Sequence, residues 1–232
     1  MHLFLTDTLD ARQPIITGPE HHHLSRVLRL QPGDRILLTS GSGTAAEAVI
    51  DTIDREETRC TMTAVHEDFN EPRVALTLLQ GVLKNPGKMD WLVEKGTELG
   101  MTSFVPLHTE RTVAKSVKTG RLRKIVESAA KQTLRGRIPT VHDPQSLEHA
   151  AAAMTSARLL LFHESAPADA VPEALQFDDR PLAVFIGPEG GFTDEELALL
   201  RDCGADVLSL GPRRLRGETA GVAALARIAA RL

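Results

Sequence analysis

The chain has 232 residues, of which 42% are hydrophobic and 25% are charged, and its formal net charge is −4. These values are typical of a globular protein with one large domain or two smaller ones, and they exclude a polycation. One Trp and no Tyr exclude a broad aromatic platform for stacking nucleic-acid bases. No apolar run reaches the roughly 18 residues of a membrane span, and a signal-peptide pattern is missing. We therefore expect a cytoplasmic protein, with Cys60 and Cys203 as reduced thiols because they show no CxxC spacing.

Residues 1–69 show the pattern of short β-strands. Apolar, β-prone segments at residues 34–40, 45–53 and 59–65 are separated by turns rich in Gly, Pro and Asp. This spacing predicts a small barrel or sandwich.

A short amphipathic helix is predicted at residues 20–29, where Leu24, Val27 and Leu28 recur at helical spacing. The three histidines at 21–23 cannot all face one ion, because neighbouring helical side chains point about 100° apart, so we expect no metal site. Two interpretations of the polar face stay open. Either the polar face contacts RNA through Arg26, Arg29 and one of His22 or His23, or it is a plain solvated helix surface.

Strands and helices alternate after the polar segment 70–73. The predicted strands cover residues 74–80, 102–107, 159–163, 182–187 and 205–210. The predicted helices cover residues 84–99, 121–135, 145–154, 193–202 and 218–232. This alternation predicts an α/β domain with a mostly parallel sheet, whose ligands bind at the carboxyl ends of the strands. The predicted domains are therefore 1–69 and 74–232.

Two glycine-rich turns follow predicted strands, at residues 186–192 (IGPEGGF) and 210–220 (LGPRRLRGETA). Neither has the GxGxxG spacing of a Rossmann fold nor the lysine of a P-loop, which argues against a nicotinamide, flavin or nucleoside triphosphate site. Gly187, Gly190 and Gly191 allow close approach of the backbone and positive φ angles. The turns are predicted to hold a small ligand mainly by backbone groups.

Charged side chains in these turns allow two interpretations each. Glu189 either takes part in the chemistry or has a structural role, in which it caps the next helix or binds an arginine. The arginines either bind phosphate or pair with nearby acids such as Glu218. The arginines in question are Arg213, Arg214 and Arg216.

The two turns together resemble the signature of the RsmE family, which comprises methyltransferases that act on N3 of a uridine in 16S ribosomal RNA. Further stretches agree with this resemblance, in the expected order along nearly the whole chain. They are residues 22–29 (HHLSRVLR), 88–100 (KMDWLVEKGTELG), 110–111 (ER) and 132–139 (QTLRGRIP).

The resemblance implies an N-terminal PUA-like β-barrel that binds RNA and a C-terminal SPOUT methyltransferase domain with a trefoil knot. It further implies S-adenosylmethionine as methyl donor, a homodimer through the SPOUT domain, and 16S rRNA or the small ribosomal subunit as partner. It implies no metal and no membrane partner.

The chemistry of this reaction suggests roles for two residues. We expect Arg216 to stabilise negative charge on a uracil carbonyl, and Glu189 or a water to take the N3 proton. The implied donor-binding residues are Leu161, His163, Gly187, Pro188, Glu189, Gly190, Leu210, Gly211, Leu215, Arg216, Glu218, Thr219 and Ala220. The implied RNA-binding residues are His22, Arg26, Arg29, Lys88, Arg111, Lys131, Arg135 and Arg137.

Two positions depart from the family pattern. Arg214 stands where an aliphatic residue is usual and adds a charge, and Gly217 stands where Thr or Ala is common and is expected to loosen the following helix. The alternatives are a SPOUT methyltransferase acting on another rRNA or tRNA site, or a non-catalytic RNA-binding factor in ribosome assembly. A dinucleotide enzyme is disfavoured by the missing fingerprint.

Overall fold

The computed structural model describes residues 1–114 and 116–232, and its contacts divide the chain into two compact units. The first unit consists of Met1–Glu71 and Ala130–Ile138. The second consists of Pro72–Ala129 and Pro139–Leu232. The first unit is therefore assembled from two stretches that lie far apart in the sequence.

The first unit contains a five-stranded curled sheet with strand order β1-β3-β4-β5-β2. Its strands are β1 (Leu3–Leu5), β2 (Ile15–Thr17), β3 (Arg35–Thr39), β4 (Ala45–Ile53) and β5 (Glu57–His66). Strand β1 is parallel to β3, and the remaining pairs are antiparallel. The β4–β5 pair has two register shifts, which increase twist and help the sheet to curl around Phe4, Ile16 and Ile36. The strands predicted at residues 34–65 are confirmed.

The predicted helix at residues 20–29 begins and ends earlier than expected. Helix α1 (Gly18–His22) continues into a π-helical turn, His23–Val27, where the Leu28 N–H donates to the His23 carbonyl at 3.0 Å. This wider turn changes the period of the helix, so Leu24 is buried whereas Val27 is 58% exposed. The prediction that Val27 packs with Leu24 is therefore wrong.

The second unit contains a seven-stranded parallel sheet, which confirms the predicted sheet type. Its order is β12-β10-β11-β6-β7-β8, with β9 also beside β7. The strands are β6 (Leu76–Gly81), β7 (Ser103–His108), β8 (Thr140–Val141), β9 (Gln145–Ser146), β10 (Arg158–Phe162), β11 (Leu182–Ile186) and β12 (Asp206–Leu208). All pairs are parallel, so the carboxyl ends of β10, β11 and β12 lie at one edge.

Five helices accompany this sheet at the predicted places, with ends that shift by a few residues. They are α2 (Pro86–Glu98), α3 (Thr119–Gln132), α4 (Leu147–Ala153), α5 (Asp194–Asp202) and α6 (Gly217–Ala229). Helices α2 and α6 pack against each other. The core contains Leu79, Val105 and Phe185 from the sheet and Leu200 from α5. Within the described ranges, none of the helices is both long and apolar enough to cross a membrane.

A capping box forms the start of α5. The Thr193 hydroxyl accepts from the Glu196 N–H at 3.2 Å, and the Glu196 carboxylate accepts from the Thr193 N–H at 2.8 Å. Both residues are buried. We expect Thr193→Ala to lower the free energy of unfolding by about 1 kcal/mol, because one helix N–H loses its acceptor. Urea denaturation measures this loss.

Thr155→Ala is the matched control, because Thr155 is exposed in the turn between α4 and β10. It should change the free energy of unfolding by less than about 0.5 kcal/mol. Equal effects of the two substitutions would contradict a stabilising role for the cap.

Candidate functional site

A cavity of about 820 Å³ opens at the carboxyl edge of the parallel sheet. Three loops form most of its wall, and each follows one of the strands β10, β11 and β12. They contain residues 162–168, 186–192 and 209–217. Both glycine-rich turns therefore lie where the sequence predicted a ligand site, and they face the same cavity.

The first turn is held from two directions. Arg111 Nη1 donates to the carbonyls of Gly190 at 3.0 Å and Phe192 at 3.1 Å. The Gln80 side-chain amide donates to the Gly187 carbonyl at 3.0 Å and to the Gly81 carbonyl at 3.1 Å. Arg111, which the sequence assigned to RNA binding, thus also fixes the shape of the turn.

The end of β6 and the first turn approach each other too closely for side chains. A Cβ atom on Gly81 would lie 2.3 Å from the Pro188 backbone nitrogen. Among the glycines of the turn, Gly191 has a positive φ of +70°, whereas Gly187 and Gly190 owe their lack of a side chain to close contacts. Sequence reasoning missed Gln80 and Gly81. The sequence signal that marks them is a glutamine followed by a glycine at the end of an apolar strand.

Thr193 rather than Glu189 caps α5, and in residues 1–114 and 116–232 the structure shows no contact of Glu189 with an arginine. Its Oε1 accepts a hydrogen bond from the Lys84 N–H at 3.0 Å, and the residue is exposed at the cavity wall. The loop before α2 therefore orients this carboxylate. The interpretation of Glu189 as a structural cap is wrong, and its role as proton acceptor stays a prediction.

The second turn presents Arg213, Arg214 and Arg216 along the cavity wall. Their expected acidic partners are engaged elsewhere, since the Glu218 carboxylate lies 2.9 Å from Lys88 Nζ. Arg214 lies 4.0 Å from Glu164, with both side chains largely exposed. Across residues 1–114 and 116–232, the structure shows no ion pair for Arg213 or Arg216. The arginines are therefore available to an anionic ligand.

Gly217 lies in a tight place, and the expectation that it loosens the terminal helix stays a prediction. It is the first residue of α6, and a Cβ atom there would lie 2.7 Å from Leu83 Cδ2. The missing side chain lets α6 begin against the end of β6. Arg216, the N-cap of α6, is thereby placed at the cavity wall.

His163 directly follows strand β10 and lies at the cavity wall. Its Nδ1 accepts from the Ser165 N–H at 3.1 Å and lies 2.7 Å from the Ser165 hydroxyl. This acceptor role of Nδ1 favours the neutral ring with its proton on Nε2. Burial lowers the pKa of His163, and the neighbouring Glu164 carboxylate opposes that effect.

Most of the implied donor-binding residues line the cavity. They are His163, Gly187, Pro188, Glu189, Gly190, Leu210, Gly211, Leu215, Arg216 and Ala220. Leu161 does not line the cavity, because its side chain is fully buried in the core, whereas Phe162 lines the wall. Glu218 and Thr219 also lie outside the wall, since the first is buried against Lys88 and the second is exposed on α6.

The implied RNA-binding residues of the first unit differ in accessibility. His22, Arg26 and Arg29 are exposed. Lys131 pairs with Glu20, and Arg137 lies 3.5 Å from Asp68.

Arg135 is the clear exception among these residues. It is 3% exposed and forms an ion pair with Glu71, whose carboxylate also accepts from the Arg137 N–H at 3.0 Å. The predicted phosphate contact of Arg135 is therefore wrong, because this guanidinium joins the segment 130–138 to the rest of its unit.

The cavity wall carries more positive than negative charge. Its basic residues are Lys88, Arg111, Arg213, Arg214 and Arg216, and its acidic residues are Glu164 and Glu189. Such an excess favours a ligand with negative charge. Among the residues that the structure describes, no group of three or more His, Cys, Asp or Glu side chains is placed to hold a metal ion.

Comparison with known proteins gives consistent matches over both units. The family model described as RNA methyltransferase domain matches residues 70–229, and the model described as RNA methyltransferase PUA domain matches residues 16–61.

The matched relatives include proteins named Ribosomal RNA small subunit methyltransferase E. The Bacillus subtilis protein is 31% identical over 227 residues, which cover 92% of this chain and 88% of the relative. The Synechocystis protein is 35% identical over 225 residues, which cover 94% of this chain and 73% of the relative. A crystal structure of the Neisseria gonorrhoeae enzyme of that name, bound to S-adenosyl methionine, is similar with a TM-score of 0.85. It is 27% identical, and the match covers 97% of this chain and 95% of that one.

Proposed function

The chain belongs to the ribosomal RNA small subunit methyltransferase E family, and we propose on that basis that it methylates N3 of a uridine in 16S ribosomal RNA. The methyl donor is S-adenosylmethionine, to which the similar Neisseria gonorrhoeae structure is bound. The observation that carries the proposal is the cavity itself. Two glycine-rich turns meet there at the carboxyl edge of a parallel sheet, together with Arg213 and Arg216, for which the described residues offer no ion pair.

The wall residues fit this donor. A cavity of about 820 Å³ lies within the range of roughly 300–1,000 Å³ that is usual for small-molecule sites. Gly190 in the first turn and Gly211 in the second line the cavity without side chains, so a ligand can approach the backbone closely at both places. The bound donor supplies a methyl group on a positively charged sulfur, which becomes a neutral thioether on transfer.

The charge on the wall points to the second substrate. The donor carries a sulfonium, an ammonium and only one carboxylate, so it does not explain a wall with five basic and two acidic residues. An RNA segment supplies phosphate groups, and a uracil that loses its N3 proton supplies a further negative charge. The basic wall therefore supports a nucleic-acid substrate entering beside the donor.

Arg216 and Glu189 are the residues that we place in the chemistry. Uracil N3 is a poor nucleophile until its N–H bond breaks and leaves the electron pair on the ring. Arg216 stabilises the resulting charge on a carbonyl oxygen, and Glu189 or a water accepts the proton. The hydrogen bond from the Lys84 N–H orients Glu189 for this role.

Binding of the RNA is assigned to both units. The exposed Arg26, Arg29 and His22 in the first unit contact phosphates, and the arginines of the second turn contact the segment near the target. We further propose a homodimer through the second unit, a knotted path of its chain, and a cytoplasmic location with the ribosomal subunits. These three points rest on the family resemblance.

Titration calorimetry and a methyl-transfer assay test this function. The wild-type protein should bind S-adenosylmethionine and then label 16S rRNA, either naked or in small subunits, at a single uridine. Absent donor binding would favour a non-catalytic assembly factor. Labelling of tRNA or of another rRNA site would instead favour a related methyltransferase with a different target.

A further inference from the structure

Lys88, which the family resemblance assigns to RNA binding, lies at the wall of the cavity. It stands in the first turn of α2, and its Nζ is 2.9 Å from Oε1 of Glu218 in the first turn of α6. The Lys88 side chain is 28% exposed, and that of Glu218 is 11% exposed. The packing of α2 against α6 therefore brings the Lys88 ammonium group to the cavity wall, where the Glu218 carboxylate holds it.

Burying the Glu218 carboxylate at this place costs the fold free energy. Its Oε2 is buried and has no hydrogen-bond partner in the described part of the chain. Burial raises the pKa of Glu218, but the hydrogen bond from Lys88, its own backbone N–H and the charges of Lys88 and Arg216 lower it overall. A buried carboxylate with only one of its two oxygens hydrogen-bonded is weak evidence that the Lys88–Glu218 pair stabilises the fold. This favours a role of Glu218 in positioning Lys88.

The Lys88 ammonium keeps donors free for a ligand. It has three N–H groups, and over residues 1–114 and 116–232 the structure shows one polar contact for it, the contact with Glu218. The influence of Arg216 on Glu218 indicates that both cations lie near the start of α6. Arg214 is a better partner than Lys88 for RNA phosphates, because its side chain is largely exposed beside the same cavity.

We propose that Lys88 is a second catalytic cation, which contacts the uracil ring and stabilises its negative charge together with Arg216, and that Glu218 positions Lys88. This inference rests on the proposed function. When the N3–H bond breaks, the electron pair stays on the ring and the charge spreads over N3 and two carbonyl oxygens. One arginine reaches one oxygen, so a second cation lowers the energy of the anion further. The proton leaves to Glu189 or water, as in the proposed function.

The test compares four variants in single-turnover methyl transfer with saturating donor, measured across a range of pH. Lys88→Met removes the charge but keeps a long side chain, and Lys88→Arg keeps the charge. Glu218→Gln keeps an acceptor for Lys88 but removes its charge. Lys95→Met is the matched control on α2, because Lys95 is paired with Glu94 and Glu98 outside the cavity.

Lys88→Met should lower the rate by about 100-fold near neutral pH, and Lys88→Arg should restore part of it. The loss should shrink as the pH rises, because without this cation the N3–H of bound uracil needs a higher pH to ionise. Glu218→Gln should give a smaller loss, of about 10-fold, with the same dependence on pH. Donor affinity from calorimetry should change by less than about threefold in all variants, and Lys95→Met should match the wild type.

Two results would overturn the proposal for Lys88. One is a wild-type rate in Lys88→Met. The other is a loss that is equal at every pH and accompanied by weakened donor binding, which would make Lys88 a donor-binding or structural residue. If the wild type itself does not methylate the RNA, the proposed function fails instead, so the two failures are distinguishable.

Discussion

Replacing Arg216 with alanine is expected to slow single-turnover methyl transfer by about 100- to 1,000-fold while changing the donor affinity little. Arg216 is the N-cap residue of α6 and faces the cavity without an ion pair in the described ranges. Its charge matters most when the uracil ring becomes an anion, so its loss should appear in the rate rather than in binding. Single-turnover kinetics and calorimetry with the donor measure the two effects separately.

Arg180→Ala is the matched control for this substitution. Arg180 is exposed in the loop before β11 and pairs with Asp178, outside the cavity wall. It should leave both the rate and the donor affinity at wild-type values. An unchanged rate in Arg216→Ala would remove Arg216 from the mechanism, and a large loss of donor affinity would make it a donor-binding residue.

Gly81→Ala is expected to lower the free energy of unfolding by about 3 kcal/mol or more and to abolish donor binding. The added Cβ atom would lie 2.3 Å from the Pro188 nitrogen and 2.8 Å from the Gly187 carbonyl carbon. Both atoms belong to the backbone, which cannot rotate away as a flexible side chain does. The first turn must therefore move, and the cavity wall moves with it.

Gly120→Ala provides the comparison for Gly81→Ala. Gly120 lies in the first turn of α3, and a Cβ atom there would have no neighbour within 4 Å. Alanine should stabilise this helix by up to about 1 kcal/mol. Thermal unfolding and donor calorimetry are the measurements, and a Gly81→Ala protein with wild-type stability and donor affinity would contradict the close contact.

The sequence predicted the parallel sheet and the location of the site because both depend on local patterns. Buried strands are continuous apolar runs, and each glycine-rich turn directly follows one of them. Strands β10, β11 and β12 lie side by side, so their turns meet at one edge. Positions of the turns could therefore be predicted without knowing the path of the chain.

Contacts between distant residues could not be predicted in this way. Arg135 and Glu71 are 64 residues apart, and each stands in a polar stretch that is typical of an exposed surface. Their burial as a pair follows from the return of residues 130–138 to the first unit. The pairing of Lys88 with Glu218 could not be predicted for the same reason, because Glu218 lies on a helix at the other end of the chain.

Mapping the modified nucleotides of 16S rRNA by mass spectrometry tests the central claim most directly. Cells that lack this protein should lose one N3-methyluridine, and the wild-type gene should restore it. The Arg216→Ala variant, produced at an equal level, should restore little of it. An unchanged set of modifications in cells without the protein would contradict the assignment as a 16S rRNA methyltransferase.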